Sequence, residues 1–221
     1  MTSKIEILSK IQPDDIYPFI DTGLLFSKQW QFGRSISKEE SFKILEEWKT
    51  RCKKDGLLHA KVAIGYFAPT ELAALTCSHL VGESRGDGKI PLMIATVGEH
   101  VVREKERLFT AHKYSEAFYL NGFAGATAEA LTEYAHRYVL KQLGREIPSK
   151  LPFGSRISPG YRSWPNLEDQ KTICNLLHAE KIGVRVTEAY QLVPEYTTSS
   201  MIILTQTKVC YSNNGGNHAG I

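Results

Sequence analysis

The chain has 221 residues, of which 42% are apolar and 23% are charged, a composition typical of a folded globular protein. This length suits one large domain or two small ones. The net charge of +3 is small, and the compact basic run at residues 51–54 suits the last turn of a helix. A nucleic-acid-binding function, which needs a longer basic stripe or a recognisable motif, is therefore not indicated.

The first predicted helix follows a long irregular opening. Up to about Trp30 the sequence is apolar and aromatic without a clear period and is interrupted by prolines, which predicts a loop with short turns packed on the core. Ser37 and Glu40 form a capping-box pattern. The apolar spacing after them predicts a helix over residues 38–54, and Gly56 suits the end of that helix.

Two strands are predicted next. β-Branched and aromatic residues indicate a strand over residues 60–67, and a second strand is predicted over residues 90–97. Pro91 suits an edge strand or the start of a strand. Between them, residues 71–81 fit either a helix or a strand, and the polar, glycine-rich residues 82–88 predict a hairpin or loop.

A long helical pattern occupies the middle of the chain. It runs from about residue 99 to residue 143, and a break is expected near Gly122 or Gly125. The second half of this pattern places apolar residues on one stripe, as expected for a helix packed on the core. These residues are Ala128, Leu131, Ala135, Tyr138 and Val139.

The C-terminal third is predicted to contain a long ordered loop, a helix and a strand pair. Four prolines place the loop at residues 144–166, and such loops are often functional. A helix is expected over 167–180. Strands are expected over 183–188 and 200–207, paired through a turn at 194–195. Together these elements predict an α+β fold in one domain, with several long helices packed on a mostly antiparallel sheet.

The loop segment from Arg156 to Tyr161 has a composition suited to ligand binding. A guanidinium can form a forked contact with a carboxylate, Pro159 fixes the backbone, and Gly160 lets a ligand approach closely. Tyr161 adds an aromatic face. The same residues also fit a surface turn in which Arg156 pairs with a nearby acid.

Acidic side chains elsewhere have two readings each. Asp21, in an otherwise apolar stretch, can cap a turn or accept hydrogen bonds from a ligand. Glu129, Glu133 and His136 share one helix face. Glu-x-x-His is a spacing used in carboxylate-bridged metal bundles, but such sites need further carboxylate-bearing helices, so a solvated face is the favoured interpretation.

These features resemble, in order along the chain, the activation domain of cobalamin-dependent methionine synthase. The resemblance covers residues 15–211. It rests on five short segments, which are Tyr17-Pro18-Phe19-Ile20-Asp21, residues 63–69, residues 127–136, Arg156 to Tyr161, and residues 182–194.

The resemblance implies a site for S-adenosylmethionine. Arg156 would pair with the methionine carboxylate, Asp21 or Glu129 would hold the amino group or the ribose, and Tyr161 would pack on the ligand. The implied site consists of Asp21, Glu129, Arg156, Ser158, Gly160, Tyr161 and Tyr211. No side chain is expected to act as an acid or a base, and no metal site is expected.

The resemblance also implies cobalamin on a partner. The sequence lacks the Asp-x-His-x-x-Gly corrinoid motif, so cobalamin would be carried by another protein or by other methionine synthase modules, and a flavodoxin-like protein would supply the electron. The segments at 162–164 and 195–200 depart from the family pattern. The chain is thus read as a reactivation module or subunit, with a non-catalytic binding or assembly partner and a paralogue serving another corrinoid methyltransferase as alternatives.

The cysteines, the N-terminus and the C-terminal tail indicate the cellular location and the extent of the domain. The cysteines are far apart and form no Cys-x-x-Cys pair, which predicts buried, reduced thiols; they are Cys52, Cys77, Cys174 and Cys210. With no signal-peptide pattern at the N-terminus and no membrane-length apolar run, a cytoplasmic location is expected. One domain is expected over 1–212, with a disordered tail at 213–221.

Overall fold

The computed structural model describes residues 5–33, 36–77, 89–144 and 155–203. The opening segment forms strand β1 (Ile5–Leu8), the short helices α1 (Pro13–Ile16) and α2 (Thr22–Leu24), and a π-helical turn over Leu25–Gln29. Short turns were predicted here, but β1 was not, because four residues give too little pattern to indicate a strand.

A five-stranded antiparallel sheet organises the described part of the chain, in the order β1-β2-β3-β7-β4. Its strands beyond β1 are β2 (Lys61–Phe67), β3 (Ile90–Thr96), β4 (Ser155–Ile157) and β7 (Thr197–Ile203). A small separate hairpin pairs β5 (Arg185–Val186) with β6 (Leu192–Val193).

Both faces of the sheet are buried. Alternate residues of a strand point to opposite faces, so Met93 packs in one apolar cluster while its neighbours Leu92 and Ile94 pack in the other. All seven residues of β3 are buried. The central strand β3 is covered on both sides, and β1 and β4 form the two edges of the sheet. Of these edge strands, β4 carries the predicted site residue Arg156.

Helices cover the two faces. One face carries α3 (Lys38–Lys54) and α5 (Tyr114–Gln142), with α4 (His100–Thr110) packed against α5, and the other face carries α6 (Asp169–Leu177). The fold is therefore α+β with helices on an antiparallel sheet, which confirms the predicted class.

The predicted helix over residues 38–54 is confirmed. Ser37 Oγ accepts a hydrogen bond from the Glu40 backbone N–H at 3.1 Å, which is the predicted cap. Gly56 follows the helix with a φ of +59°, a conformation that favours glycine at a helix end.

The expected break near Gly122 or Gly125 is wrong. The helices separate instead at residues 111–113, and α5 runs through both glycines. Gly122 has a packing role, since a Cβ there would lie 2.8 Å from Trp30 Cδ1. A Cβ at Gly125 would meet no atom within 4 Å. Neither glycine ends the helix, and only Gly122 marks a place of close packing.

This contrast predicts opposite effects of two alanine substitutions in α5. Gly122→Ala should destabilise the fold by about 1–3 kcal/mol, because the added methyl overlaps a buried indole. Gly125→Ala should stabilise it by up to about 1 kcal/mol, because alanine is the better helix former and the space is open. Urea denaturation of the two variants provides the measurement. Equal stabilisation by both would contradict the close approach to Trp30.

Two C-terminal strand predictions need correction. The predicted partner of strand 183–188 was strand 200–207, but β5 pairs with β6, and β7 pairs with β3 and β4. The loop expected at 144–166 contains β4, which its prolines concealed. Local patterns identify buried strands but not their partners, because pairing depends on segments far apart in sequence.

Pro91 marks the start of a strand and not an edge. It is the second residue of β3, which lies between β2 and β7, and pairing with β7 begins at Leu92. The edge interpretation is therefore wrong, and the alternative reading as a strand start is confirmed.

Several other predictions can be compared directly. Cys52, Cys77 and Cys174 are buried free thiols, as expected. No helix in the described ranges is both long and apolar enough to cross a membrane. Cys210, the loop at 82–88 and the tail at 213–221 lie outside the described residues.

Candidate functional site

A cavity of about 560 Å³ opens where the sheet edge meets α5 and the β5–β6 hairpin. Its walls come from α5, the segment after β4, the start of α6, and the chain from Tyr190 into β7. The volume is within the usual range for small-molecule sites. Four of the predicted site residues line it, namely Glu129, Arg156, Ser158 and Tyr161.

Arg156 reaches this cavity because of its place on β4. It pairs with Ile202 in the register of β4 and β7, while its neighbour Ile157 is buried on the opposite face. The side chain is 25% exposed. Its Nη1 atom is buried and has no hydrogen-bond partner among the described residues. A guanidinium carries five N–H donors, so Arg156 retains donor capacity for an anionic ligand.

The anionic neighbour of Arg156 is Glu133 on α5. Arg156 Nη2 lies 3.9 Å from Glu133 Oε2, an ion pair without a short hydrogen bond. Glu133 Oε1 accepts a hydrogen bond from Arg137 Nε at 2.8 Å. His136 Nδ1 lies 3.8 Å from Glu133 Oε2. Glu133 thus holds a cluster of cationic and imidazole groups beside the cavity.

These neighbours lower the pKa of Glu133 to about 2. The His136 ring contributes most, and Arg137 and Arg156 act in the same direction, together outweighing the opposing effect of burial. His136 itself is 4% exposed, so the interpretation of this helix face as solvated is wrong at His136. It holds at Glu129, which is exposed.

The lowered pKa makes the contribution of Glu133 to stability depend on pH. A carboxyl group whose folded pKa lies below its unfolded value stabilises the fold above the unfolded pKa, here 4.5, and loses this contribution as pH falls toward 2. After allowance for solvent screening, Glu133→Gln should cost about 1 kcal/mol at pH 7.

Urea denaturation at pH 7, 4 and 3 would measure this cost as the difference between wild type and Glu133→Gln. We expect that difference to shrink as pH falls. Glu99→Gln, which breaks the 2.7 Å surface ion pair with Arg103 at the same i,i+4 spacing, is the matched control. A difference for Glu133→Gln that stays constant over this pH range would contradict the ionised cluster.

The segment after Arg156 forms a tight turn. Gly160 has a φ of +90°, and its N–H donates to the Trp164 carbonyl at 2.8 Å. Trp164 N–H in turn donates to the Tyr161 carbonyl at 2.8 Å. This turn leaves the Tyr161 ring 66% exposed at the cavity while Trp164 is fully buried. Gly160 provides the backbone conformation and is not itself among the lining residues.

A buried carboxylate anchors the turn from behind. Asp169 Oδ2 accepts hydrogen bonds from Trp164 Nε1 at 2.6 Å, from Thr76 N at 2.8 Å and from Thr76 Oγ1 at 2.6 Å. Asp169 is 4% exposed. Asp169 thereby ties the loop that lines the cavity to Thr76, which lies almost 90 residues before Trp164.

The structure places Asp21, another predicted site residue, away from the lining of this cavity. Asp21 caps α2, where its Oδ1 accepts a hydrogen bond from the Leu24 N–H at 2.9 Å. It is not a lining residue of the cavity, although nearby Phe19 packs on Tyr134 of α5 and under Arg137. Tyr211 lies outside the described residues.

Sequence reasoning did not identify several residues of the cavity wall. Thr132 on α5 and Thr198 on β7 share a hydrogen bond of 2.6 Å between their hydroxyls. Tyr190 also lines the cavity, from the turn between β5 and β6. Short polar residues and single aromatics carry no spacing signal. The positive φ of Tyr190 is visible only in the structure.

Comparison with known proteins identifies the family. Residues 78–215 match the family described as vitamin B12 dependent methionine synthase, activation domain. This match covers more than half of the chain. The chain belongs to that family. The resemblance predicted from the short sequence segments is therefore confirmed.

Relatives of this activation domain are methionine synthases. The enzyme of Mycobacterium tuberculosis (strain ATCC 25618 / H37Rv) is 26% identical over 249 residues, covering 86% of the chain and 21% of that enzyme. The enzyme of Mycobacterium leprae (strain TN) is 30% identical over 129 residues, covering 52% of the chain and 11% of that enzyme. The chain thus spans about a fifth or less of the length of these relatives.

A solved structure shares the fold of this activation domain. The crystal structure of the MetH reactivation domain bound to AdoHcy superimposes with a TM-score of 0.75 at 15% sequence identity. The superposition covers 94% of this chain and 80% of that one. At this identity the similarity establishes the fold.

Proposed function

We propose that the chain binds S-adenosylmethionine in the cavity beside Arg156. The methyl group of S-adenosylmethionine would then be transferred to a cobalamin held by a partner module or protein. The observation that carries this proposal is the Arg156 guanidinium at the cavity wall, with donors that no described residue fills. Family membership and the AdoHcy bound by a structural neighbour support the same class of ligand.

The charges around the cavity suit the carboxylate and the ammonium group of the methionine part of S-adenosylmethionine. Arg156 offers a fork to the carboxylate. Glu129, an exposed carboxylate on the wall, suits the ammonium group or the sulfonium by opposite charge. Ser158 and the turn at Gly160 and Tyr161 would approach the ligand through backbone groups and an aromatic face.

Asp21 and Tyr211 remain part of the proposed site on the strength of the family motif alone. Asp21 would have to bind the ligand while capping α2, and that cap uses only one of its two carboxylate oxygens.

The chemistry requires positioning rather than proton transfer by this chain. Cobalamin, once reduced by one electron from a flavodoxin-like donor, would supply the electron pair for the new bond to the methyl group. The electron pair of the broken C–S bond would stay on sulfur, so that AdoHcy is the product. The chain would bind S-adenosylmethionine, orient its methyl group and exclude water.

Isothermal titration with S-adenosylmethionine and AdoHcy tests the binding. Micromolar affinity for both is expected, and no heat with either would contradict the proposal. Transfer of labelled methyl from S-adenosylmethionine to a methionine synthase cobalamin module, with reduced flavodoxin present, tests the chemistry. Tight binding without transfer would favour a non-catalytic partner that kept the ligand site.

A further inference from the structure

Tyr190 holds a strained backbone conformation at the cavity wall. Its φ is +60°, a region that bulky residues with a Cβ rarely adopt. The other described non-glycine residues with positive φ are Gln31, His112 and His178. Each of these follows a helical segment, where a left-handed residue is the common way to end a helix. Tyr190 instead lies in the turn between β5 and β6.

Local hydrogen bonds maintain this conformation. Thr187 N–H donates to the Gln191 carbonyl at 2.9 Å, and Tyr190 N–H donates to the Thr187 carbonyl at 3.0 Å. Gln191 N–H donates to Thr187 Oγ1 at 3.1 Å. The turn is thus over-determined, although it carries a tyrosine where glycine or asparagine would be unstrained. Strain that persists in this way is concentrated at functional sites.

The Tyr190 ring has no partner within the described part of the chain. It is half-buried and lines the cavity, but it makes no ring contact, cation–π contact or side-chain hydrogen bond with another described residue. The same is true of the Tyr161 ring, which is 66% exposed. Two aromatic rings that no described residue contacts therefore line one cavity, which also holds an arginine suited to a carboxylate.

We infer that Tyr190 is a ligand-binding residue that, with Tyr161, contacts the planar base of an adenosyl ligand. This inference rests on the proposed function and adds the group that recognises the base. An aromatic ring offers a sequence-tolerant stacking surface for a purine, and such stacking contributes enough that its loss weakens binding about tenfold or more. The strained turn fixes the Tyr190 ring at the wall.

Separating ligand affinity from stability tests the inference. Tyr190→Gly should raise the urea midpoint, because glycine relieves the positive φ, and should raise the Kd for AdoHcy about tenfold or more. Asparagine also tolerates this conformation, so Tyr190→Asn should raise the Kd similarly. This variant keeps the test available if Tyr190→Gly folds poorly. Tyr190→Phe should keep the wild-type Kd.

His178→Gly is the matched control. His178 has a φ of +51° and an exposed side chain, and it does not line the cavity. Its replacement should raise the urea midpoint and leave the Kd unchanged. A wild-type Kd in Tyr190→Gly and Tyr190→Asn, with AdoHcy still bound by the wild type, would overturn this inference alone. Absence of AdoHcy and S-adenosylmethionine binding in the wild type would overturn the proposed function and this inference together.

Discussion

Arg156→Ala is expected to weaken the binding of S-adenosylmethionine and AdoHcy by roughly 1.5–3 kcal/mol, the range for a hydrogen bond to a charged group, or about 10- to 150-fold in Kd. The guanidinium lies at the cavity wall, and its neighbour Glu133 is 3.9 Å away. A ligand carboxylate could therefore accept hydrogen bonds from Arg156 donors that no described residue fills. Isothermal titration of the variant against wild type gives the measurement.

Two further variants separate charge from geometry. Arg156→Lys keeps the charge but loses the planar fork, so its Kd should fall between wild type and Arg156→Ala. Arg137→Ala removes another arginine from the same Glu133 carboxylate, outside the cavity lining, and should leave Kd within about twofold of wild type, the scale of a surface substitution. Equal Kd values for wild type and Arg156→Ala would show that the carboxylate binds elsewhere.

The decarboxylated analogue of S-adenosylmethionine provides an internal check. It lacks the group that Arg156 is proposed to bind, so Arg156→Ala should change its Kd much less than that of S-adenosylmethionine. A similar loss for both ligands would indicate that the substitution perturbs the cavity rather than one contact.

Much of the fold could be predicted from local pattern. Helix α3 has a cap, an apolar stripe and a glycine end within one short stretch, and each signal is local. The buried strands β2 and β3 show as β-rich runs for the same reason. The partners of β7 could not be predicted, because they depend on β4, a three-residue strand more than 40 residues away along the chain. The helix break predicted at Gly122 was wrong because glycine is needed there for close packing against Trp30, which lies about 90 residues earlier.

The candidate site was predictable where a compact motif carries it. Arg156, Ser158 and Tyr161 belong to one such motif, and Glu129 belongs to another, and they meet at one cavity. Asp21 also belongs to a motif, but the hydrogen bond to Leu24 was the alternative reading of the same residue. Glu133, Tyr190 and Asp169 gain their roles from distant partners or from backbone conformation. Single-sequence reasoning has no access to either.

Asp169 illustrates what such a hidden residue contributes. Its Oδ2 accepts hydrogen bonds from the Trp164 indole and from the backbone and hydroxyl of Thr76. Trp164 occupies a segment that departs from the family pattern, and its ring is fully buried. At Trp164 this departure is accommodated inward, through Asp169, whereas Arg162 in the same segment is exposed and lines the cavity. The carboxylate thereby fixes the turn that presents Tyr161 to the cavity.

Asp169→Ala should be the most destabilising of the substitutions considered and should lower the free energy of unfolding by about 3–5 kcal/mol. The reason is that it leaves buried donors without the charged acceptor that now binds them. Trp164→Phe removes one of those donors and should cost less, about 1–3 kcal/mol. Asp55→Ala, at an exposed carboxylate 3.9 Å from Arg51 Nε, should stay within about 0.5 kcal/mol. Urea denaturation of the three variants gives the order.

If Asp169→Ala is no more destabilising than Asp55→Ala, the turn does not depend on this carboxylate. If Trp164→Phe leaves stability intact but raises the Kd for AdoHcy, the hydrogen bond serves the position of the turn rather than the stability of the core.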